Sequence, residues 1–194
     1  MKASARKAAS PSKAARAKPK GVSHVPEGTH AITPHVVVKD AAAAIDFYKQ
    51  AFGAVELCRM PGPNGQGVMH AEMRIGDSPF YLCDESPMND VRAPQSVGGT
   101  TIAMHVYVPD VDAVFQQAVS AGAKVVMPPM DMFWGDRYGK VADPFGHSWA
   151  LATHKEDVSP EQMAVRAEQA FSAPSGGDVG GGEPAAPIEE PALF

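Results

Sequence analysis

Hydrophobic positions along this chain switch between a period of two and a period near 3.6, and they do so twice. Ile102, Met104, Val106 and Val108 alternate with Ala103, His105 and Tyr107, the signature of a strand with one buried face. Shifting the chain against itself by seventy positions lays Ile32, His35, Val36, Val38 and Asp40 on Ile102, His105, Val106, Val108 and Asp110. Each strand runs into an aspartate able to cap a helix. After Asp40, Ile45, Tyr48 and Phe52 recur at helical spacing and Gly53 ends the run; after Asp110, Val111, Val114, Phe115 and Ala118 do the same up to Gly122.

Three strand-like runs follow each helix: Val55–Met60, Val68–Ile75 and Phe80–Cys83 in the first half, Lys124–Met127, Tyr138–Ala142 and Ser148–Thr153 in the second. The match persists with the offset slipped by one, so that Phe80, Tyr81 and Leu82 fall on Trp149, Ala150 and Leu151. This predicts an α+β fold of two βαβββ modules, one over residues 29–87 and one over 100–154, forming a curved mixed sheet around a cup. Counting alternation assigns His35, Val37, Tyr81, Cys83, His105, Tyr107, Ser148 and Ala152 to the cup face. The opposite face, with Val36, Val38, Leu82, Val106, Val108, Trp149 and Leu151, is assigned to the core under the helices.

Composition sets the limits of this unit. Residues 1–23 are almost all Ala, Lys, Arg, Ser and Pro, with seven bases and no acid, and too little apolar surface to offset the entropy of ordering. Residues 24–154 carry fourteen acids and eight bases, so the overall charge of −5 hides a basic arm on an acidic domain. The arm is able to bind nucleic acid through counterion release, but lacks aromatic residues for base stacking, and a solubilising leader is the plainer expectation. Ser159–Ser172 suits a short helix with Ser159 as N-cap and Pro160 at its first position. Residues 173–194 form a Gly/Pro-rich acidic tail. Two cysteines, Cys58 and Cys83, give no disulfide framework. There is no apolar run of membrane-spanning length and no signal-peptide pattern, so a reducing cytoplasm is the expected location.

Three segments, KDAAAAIDFYKQAFGA (Lys39–Ala54), VPDVDAVFQQAVSAGA (Val108–Ala123) and DPFGHSWALATH (Asp143–His154), carry a resemblance over about Thr29–Pro160. The chain resembles the vicinal oxygen chelate (VOC) superfamily: glyoxalases, extradiol dioxygenases and bleomycin-resistance proteins. HAEMRIGDS, WGDRYG and HKEDVSPEQM resemble its PhnB-type branch. The resemblance implies a homodimer, and in metal-using members one divalent ion held by four ligands from the first and last strands of each half. The corresponding positions here are Thr33, Tyr81, Ala103 and Ala150; alanine offers no donor atom and a neutral hydroxyl is a weak one. No cofactor is therefore expected. A displaced divalent site built on His35 and His105, completed by Glu72, Cys83 or His70, is the alternative.

The remaining candidates line the expected cup. The segment Met130–Gly139 reads as a loop dense in Met and aromatics, with Phe133, Trp134 and Tyr138 able to stack on a planar ligand. Arg137 either holds an anionic group or pairs with Asp136 or Asp143. His70 and Glu72, two apart on a strand, form either a general acid–base pair or an ordinary polar edge. Cys83 reads as a small buried filler. His35, His105 and Glu72 are the catalytic candidates; His35, Tyr81, His105, Tyr107, Phe133, Trp134, Arg137 and Tyr138 are the ligand-binding ones. The expectation is a pocket for a small organic molecule, in a binding or resistance-type protein or a metal-independent enzyme. A metal-dependent glyoxalase- or dioxygenase-type enzyme is the competing class.

Overall fold

The computed structural model describes residues 22–172 apart from 87 and 89. Most of the basic arm, with the nucleic-acid binding considered for it, and the acidic tail lie outside the described residues. The first half runs β1 (His35–Val38), α1 (Ala41–Phe52), β2 (Val55–Pro61), β3 (Val68–Ile75) and β4 (Ser78–Asp84); a short helix α2 (Pro94–Val97) follows. The second half repeats the order as β5 (Ala103–Tyr107), α3 (Val111–Ser120), β6 (Lys124–Asp131), β7 (Asp136–Ala142) and β8 (Ser148–His154), and α4 (Pro160–Ser172) ends the described chain. Each half is a four-stranded mixed sheet, β1-β4-β3-β2 and β5-β8-β7-β6, in which only the β1–β4 and β5–β8 pairs are parallel. The α+β class and the duplicated βαβββ order are as the hydrophobic pattern predicts.

The predicted caps form. Asp40 accepts the Ala43 amide at 3.0 Å and Asp110 the Ala113 amide at 3.1 Å, each satisfying an orphan N–H of the first turn. A second tie comes from the last strand of each half. Asp84 accepts the first helical amide, Ala41, and also Val68, both at 2.6 Å, while Thr153, its equivalent at the slipped offset, accepts Val111 at 2.8 Å. Gly53 ends α1 at φ 64°, a left-handed conformation that favours glycine. Ser159 and Gln162 cap α4 reciprocally, each side chain accepting from the other's amide. The short helix α2 was not anticipated, although Pro94 at its start and Gly98 beyond its end are the ordinary signals.

Several boundaries differ from expectation. Ile32 and Ile102 stand outside the strands and are 87% and 68% exposed, so they are not part of the buried alternation. Val108 likewise lies beyond the end of β5. The segment Met130–Gly139 is a hairpin rather than a loop: β6 continues to Asp131, a tight turn crosses Met132–Gly135, and β7 starts at Asp136. Pro128 and Pro129 do not stop β6, because it is an edge strand, and its register with β7 shifts where they sit.

One core serves both halves. Val36, Val38, Leu82, Trp149 and Leu151 are buried as predicted, together with Ile45 and Tyr48 of α1 and Phe115 of α3. The helices pack on one another, with the Gln117 amide donating to the Gln50 carbonyl at 2.6 Å. Both sheets therefore turn their helix-bearing faces inward to a shared core. Asp143, in the turn between β7 and β8, is the buried polar centre of this seam. It accepts from Tyr48 Oη at 2.8 Å, Trp149 Nε1 at 2.9 Å, and the Phe145 and His147 amides at 2.9 and 2.8 Å. Burial, and then the Asp143 charge, raise the Tyr48 hydroxyl well above its ordinary pKa, which keeps it a donor.

Tyr48→Phe removes one donor from this buried carboxylate without opening a large cavity. We expect it to lower unfolding stability by about 1.5–3 kcal/mol, read from the urea midpoint at unchanged slope.

Candidate functional site

With the helix-bearing faces turned inward, the residues of opposite parity form two outward sheet faces. On the first, strand register places His35 opposite Tyr81 and Tyr81 opposite Glu72. The His35 and Tyr81 rings are 6.0 Å apart, His70 and Tyr81 4.8 Å, and His70 Nε2 lies 3.7 Å from Glu72 Oε1. Burial, and then the neighbouring His70, lower the pKa of His35 and favour its neutral form. Cys83 is buried and its thiol is pushed up by burial and by Asp84, so it is a filler with little thiolate character.

The second face carries the other candidates. His105 and Tyr107 have ring centroids 4.8 Å apart, His105 and Tyr138 5.7 Å, and Trp134 and Tyr138 5.7 Å. Phe133 packs on Trp134 at 5.0 Å and on Phe171 of α4 at 5.8 Å. His35 and His105 thus belong to separate clusters on separate sheets, and the structure does not bring them together as a displaced metal site requires. Among the described residues no three of His, Cys, Asp and Glu converge closely enough to hold an ion.

The four positions that the VOC resemblance assigns to metal ligands do not fit a divalent ion. Thr33 precedes β1 and its hydroxyl donates to the His30 carbonyl at 3.0 Å; Tyr81 is packed among imidazoles. Ala103 and Ala150 have no donor atoms, and Ala150 is buried.

Arg137 falls outside the aromatic face of His105, Tyr107, Trp134 and Tyr138. It shares the parity of Gly139 and Val141, whose side of β7 packs against Phe115 of α3. Its guanidinium makes a forked pair with Asp112 at 2.5 and 2.8 Å and reaches Asp131 at 3.3 Å. Neither of the partners expected for it, Asp136 or Asp143, is involved, because Asp112 at the start of α3 lies across the sheet and has no near neighbour in sequence to betray it.

A hollow of about 800 Å³ runs along the free edge of β5. Its apolar walls include Ile32, Phe52, Ile75, Phe80, Val106 and Trp149, and His105 and Tyr107 belong to both the hollow and the aromatic face. A difference between the two repeats explains why it is open. The five-residue turn between β7 and β8 folds over the free edge of β1, where His147 Nε2 meets the Val37 carbonyl at 2.9 Å. The corresponding turn of the first half, Gly76 and Asp77, has only two residues, and the edge of β5 that it faces stays uncovered.

Sequence reasoning missed the group that organises this face. Asp136, 4% exposed, accepts from Tyr107 Oη at 3.1 Å, Trp134 Nε1 at 3.1 Å and His154 Nδ1 at 2.8 Å. His154 Nε2 meets Asp157 at 3.1 Å. The alternation of β7, extended two residues before its assumed start at Tyr138, and that of β8, extended one residue past Thr153, would have paired Asp136 with His154.

Similarity to known proteins agrees with this architecture. Residues 22–151 match the family model of the Glyoxalase/Bleomycin resistance protein/Dioxygenase superfamily. An uncharacterised protein of Mycobacterium tuberculosis (strain H37Rv) is 49% identical over 136 residues, covering 69% of this chain and 79% of that protein. The crystal structure of an Arabidopsis thaliana gene product is similar at 29% identity and a TM-score of 0.53, covering 63% of this chain and 98% of that one. The anthracycline biosynthesis protein DnrV of Streptomyces peucetius is 27% identical over 121 residues, covering 58% of this chain and 42% of that protein.

The hydrogen bond to Asp136, and then that to Asp157, raise the pKa of His154. Its contribution to stability is therefore complete below the unfolded value, near 6.5, and lost as pH rises through the higher folded value. The stability advantage of the native chain over His154→Asn should shrink on going from pH 6 to pH 9, as followed by chemical denaturation.

Proposed function

This chain belongs to the Glyoxalase/Bleomycin resistance protein/Dioxygenase superfamily, and from that premise we propose that it binds a small planar organic molecule in the hollow along β5, without a resident metal ion. The observation that carries this reading is the sharing of His105 and Tyr107 between a hollow of about 800 Å³ and a cluster of aromatic rings. That volume lies within the range of small-molecule pockets, and apolar walls with a few polar groups at the rim are their usual composition. Ring faces favour a flat partner, and the negative quadrupole of those faces, on an acidic domain, favours a neutral or cationic one over an anion. The engagement of Arg137 by two aspartates supports the same choice, since it takes the only arginine candidate away from anion binding. The relation to a protein named for anthracycline biosynthesis is compatible with a polycyclic aromatic ligand.

A metal-independent enzyme is the second reading, and the first sheet face favours it. His35, held toward its neutral form beside His70, Glu72 and Tyr81, has the character of a general base. In either reading the protein acts as a cytoplasmic homodimer, with the exposed Ile32 and Ile102, which line the hollow, as apolar surface for a second copy to cover.

A thermal-shift screen of planar aromatics and divalent metals, paired with elemental analysis, tests the first reading. A binder present at a hundred times its Kd should raise Tm by about 5–10 °C, and Tyr107→Ala should abolish the rise. Stoichiometric metal in the purified protein, with no shift from any organic compound, would reject it. Equilibrium sedimentation showing only monomer would reject the dimer.

A further inference from the structure

We infer that His154 and Asp136 act as a positioning pair for the ligand hollow, orienting Tyr107 and Trp134 and making the affinity for a cationic ligand depend on the protonation state of His154. This rests on the ligand reading above and adds a residue pair and a charge preference to it.

The geometry begins with strand register. Tyr107 stands opposite Ala152 and Ala152 opposite Tyr138, while Asp136 stands opposite His154 one row further along. Ala152 is too small to fill the space between its neighbours, so the Tyr107 phenol extends across β8 toward β7 and ends on Asp136 Oδ2. The same oxygen takes the Trp134 indole from the hairpin turn, and Oδ1 takes the His154 imidazole from the last residue of β8. Three segments distant in sequence are thereby fixed to one carboxylate. Such a group is costly to leave short of donors at 4% exposure, so its occupancy determines where the two rings stand.

Gly135 keeps the turn in place for this. At φ 98° it adopts a backbone conformation that disfavours other residues, and a Cβ there would sit 2.3 Å from the Glu156 carbonyl. Its own carbonyl accepts the Lys155 and Glu156 amides, which locks the turn to the segment that follows His154.

His154 is the imidazole of this group, and its hydrogen bonds to Asp136 and then Asp157 raise its pKa above the ordinary histidine value. Its side chain is about half exposed, within reach of bulk protons, while its partner is buried. The ionisable groups facing the pair are Asp136 itself, Tyr107 from β5 with His105 beside it, and Asp157. Asp131, Lys155 and Glu156 surround a shallow hollow over Asp136. Tyr107 is raised, by burial first and then by Asp136, and stays a neutral donor across this range. Protonated His154 neutralises the carboxylate behind the rings. Once deprotonated, it still donates from Nδ1 but leaves a full negative charge there. A cation held on the ring faces should therefore bind more tightly above the pKa of His154, and a neutral analogue should not respond.

Two readouts on the full chain test this. The first is the indole N–H resonance of Trp134 in a ¹H–¹⁵N spectrum, followed from pH 5.5 to 8.5 without any ligand. It should titrate with His154 in the native protein and be flat in His154→Asn, which keeps a donor at the Nδ1 position and cannot change charge. The second is binding of proflavine, a planar cation, against neutral 9-anthracenemethanol. Proflavine should tighten by about two- to fivefold over that pH range in the native chain and by none in His154→Asn, with the neutral probe unaffected. His154→Ala should weaken both probes at every pH. A Trp134 resonance that ignores pH, or moves identically in His154→Asn, overturns the positioning pair whether or not a probe binds. A resonance that titrates while neither probe binds leaves the pair standing, and overturns the ligand reading together with the cation preference.

Discussion

A carboxylate removed from water needs hydrogen-bond donors to keep its charge, and the arrangement of this chain follows from how Asp143 meets that demand. Two of its donors are local amides of its own turn, one is the indole of Trp149 on the next strand, and the fourth is Tyr48 on the helix of the other half. Only the Tyr48 bond crosses between the halves, and it ties α1 to the turn between β7 and β8. The aromatic rings around Tyr48, including Phe52 and Trp149, then fill the seam. Burial of these rings contributes most of the cohesion, while the carboxylate selects which packing is used.

Fixing the seam in this way determines which surfaces remain for function. Both sheets spend their helix-bearing faces on the common core, so the opposite faces look outward and the chemistry divides between them. One holds His35, His70, Glu72 and Tyr81; the other holds His105, Tyr107, Tyr138 and Trp134. The duplication is close to symmetric in its strands and caps but not in its turns. Three extra residues between β7 and β8 let His147 cover one free edge, and the shorter hairpin leaves the other as an open hollow. A small asymmetry in loop length thus leaves the hollow beside the second half.

The two buried acids of the described core, Asp136 and Asp143, play parallel parts at different places. Each gathers a tyrosine hydroxyl and a tryptophan indole. Asp143 draws on two buried side chains, Tyr48 and Trp149, and on the part-buried amides of its own turn, and serves rigidity. Asp136 adds His154, whose second nitrogen reaches the exposed Asp157, and this links the aromatic face to the pH of the medium. The same local chemistry gives a structural joint in one case and an adjustable wall in the other, and exposure of the third partner makes the difference.

The amino-acid sequence by itself determined the repeat, the order of elements, the capping aspartates and the inward set Val36, Val38, Leu82, Trp149 and Leu151. All of these follow from near-neighbour periodicity and helix-end chemistry, which a linear chain displays directly. The resemblance carried by its motifs implied that alanines occupy two positions where a metal would need donors. Only the tertiary structure decided that His35 and His105 stand on different faces, that Arg137 is spent on Asp112, and that Asp136 rather than a histidine organises the aromatic wall. Those outcomes depend on contacts between residues tens of positions apart, set by how two sheets share one core, and no local pattern in the chain carries that information.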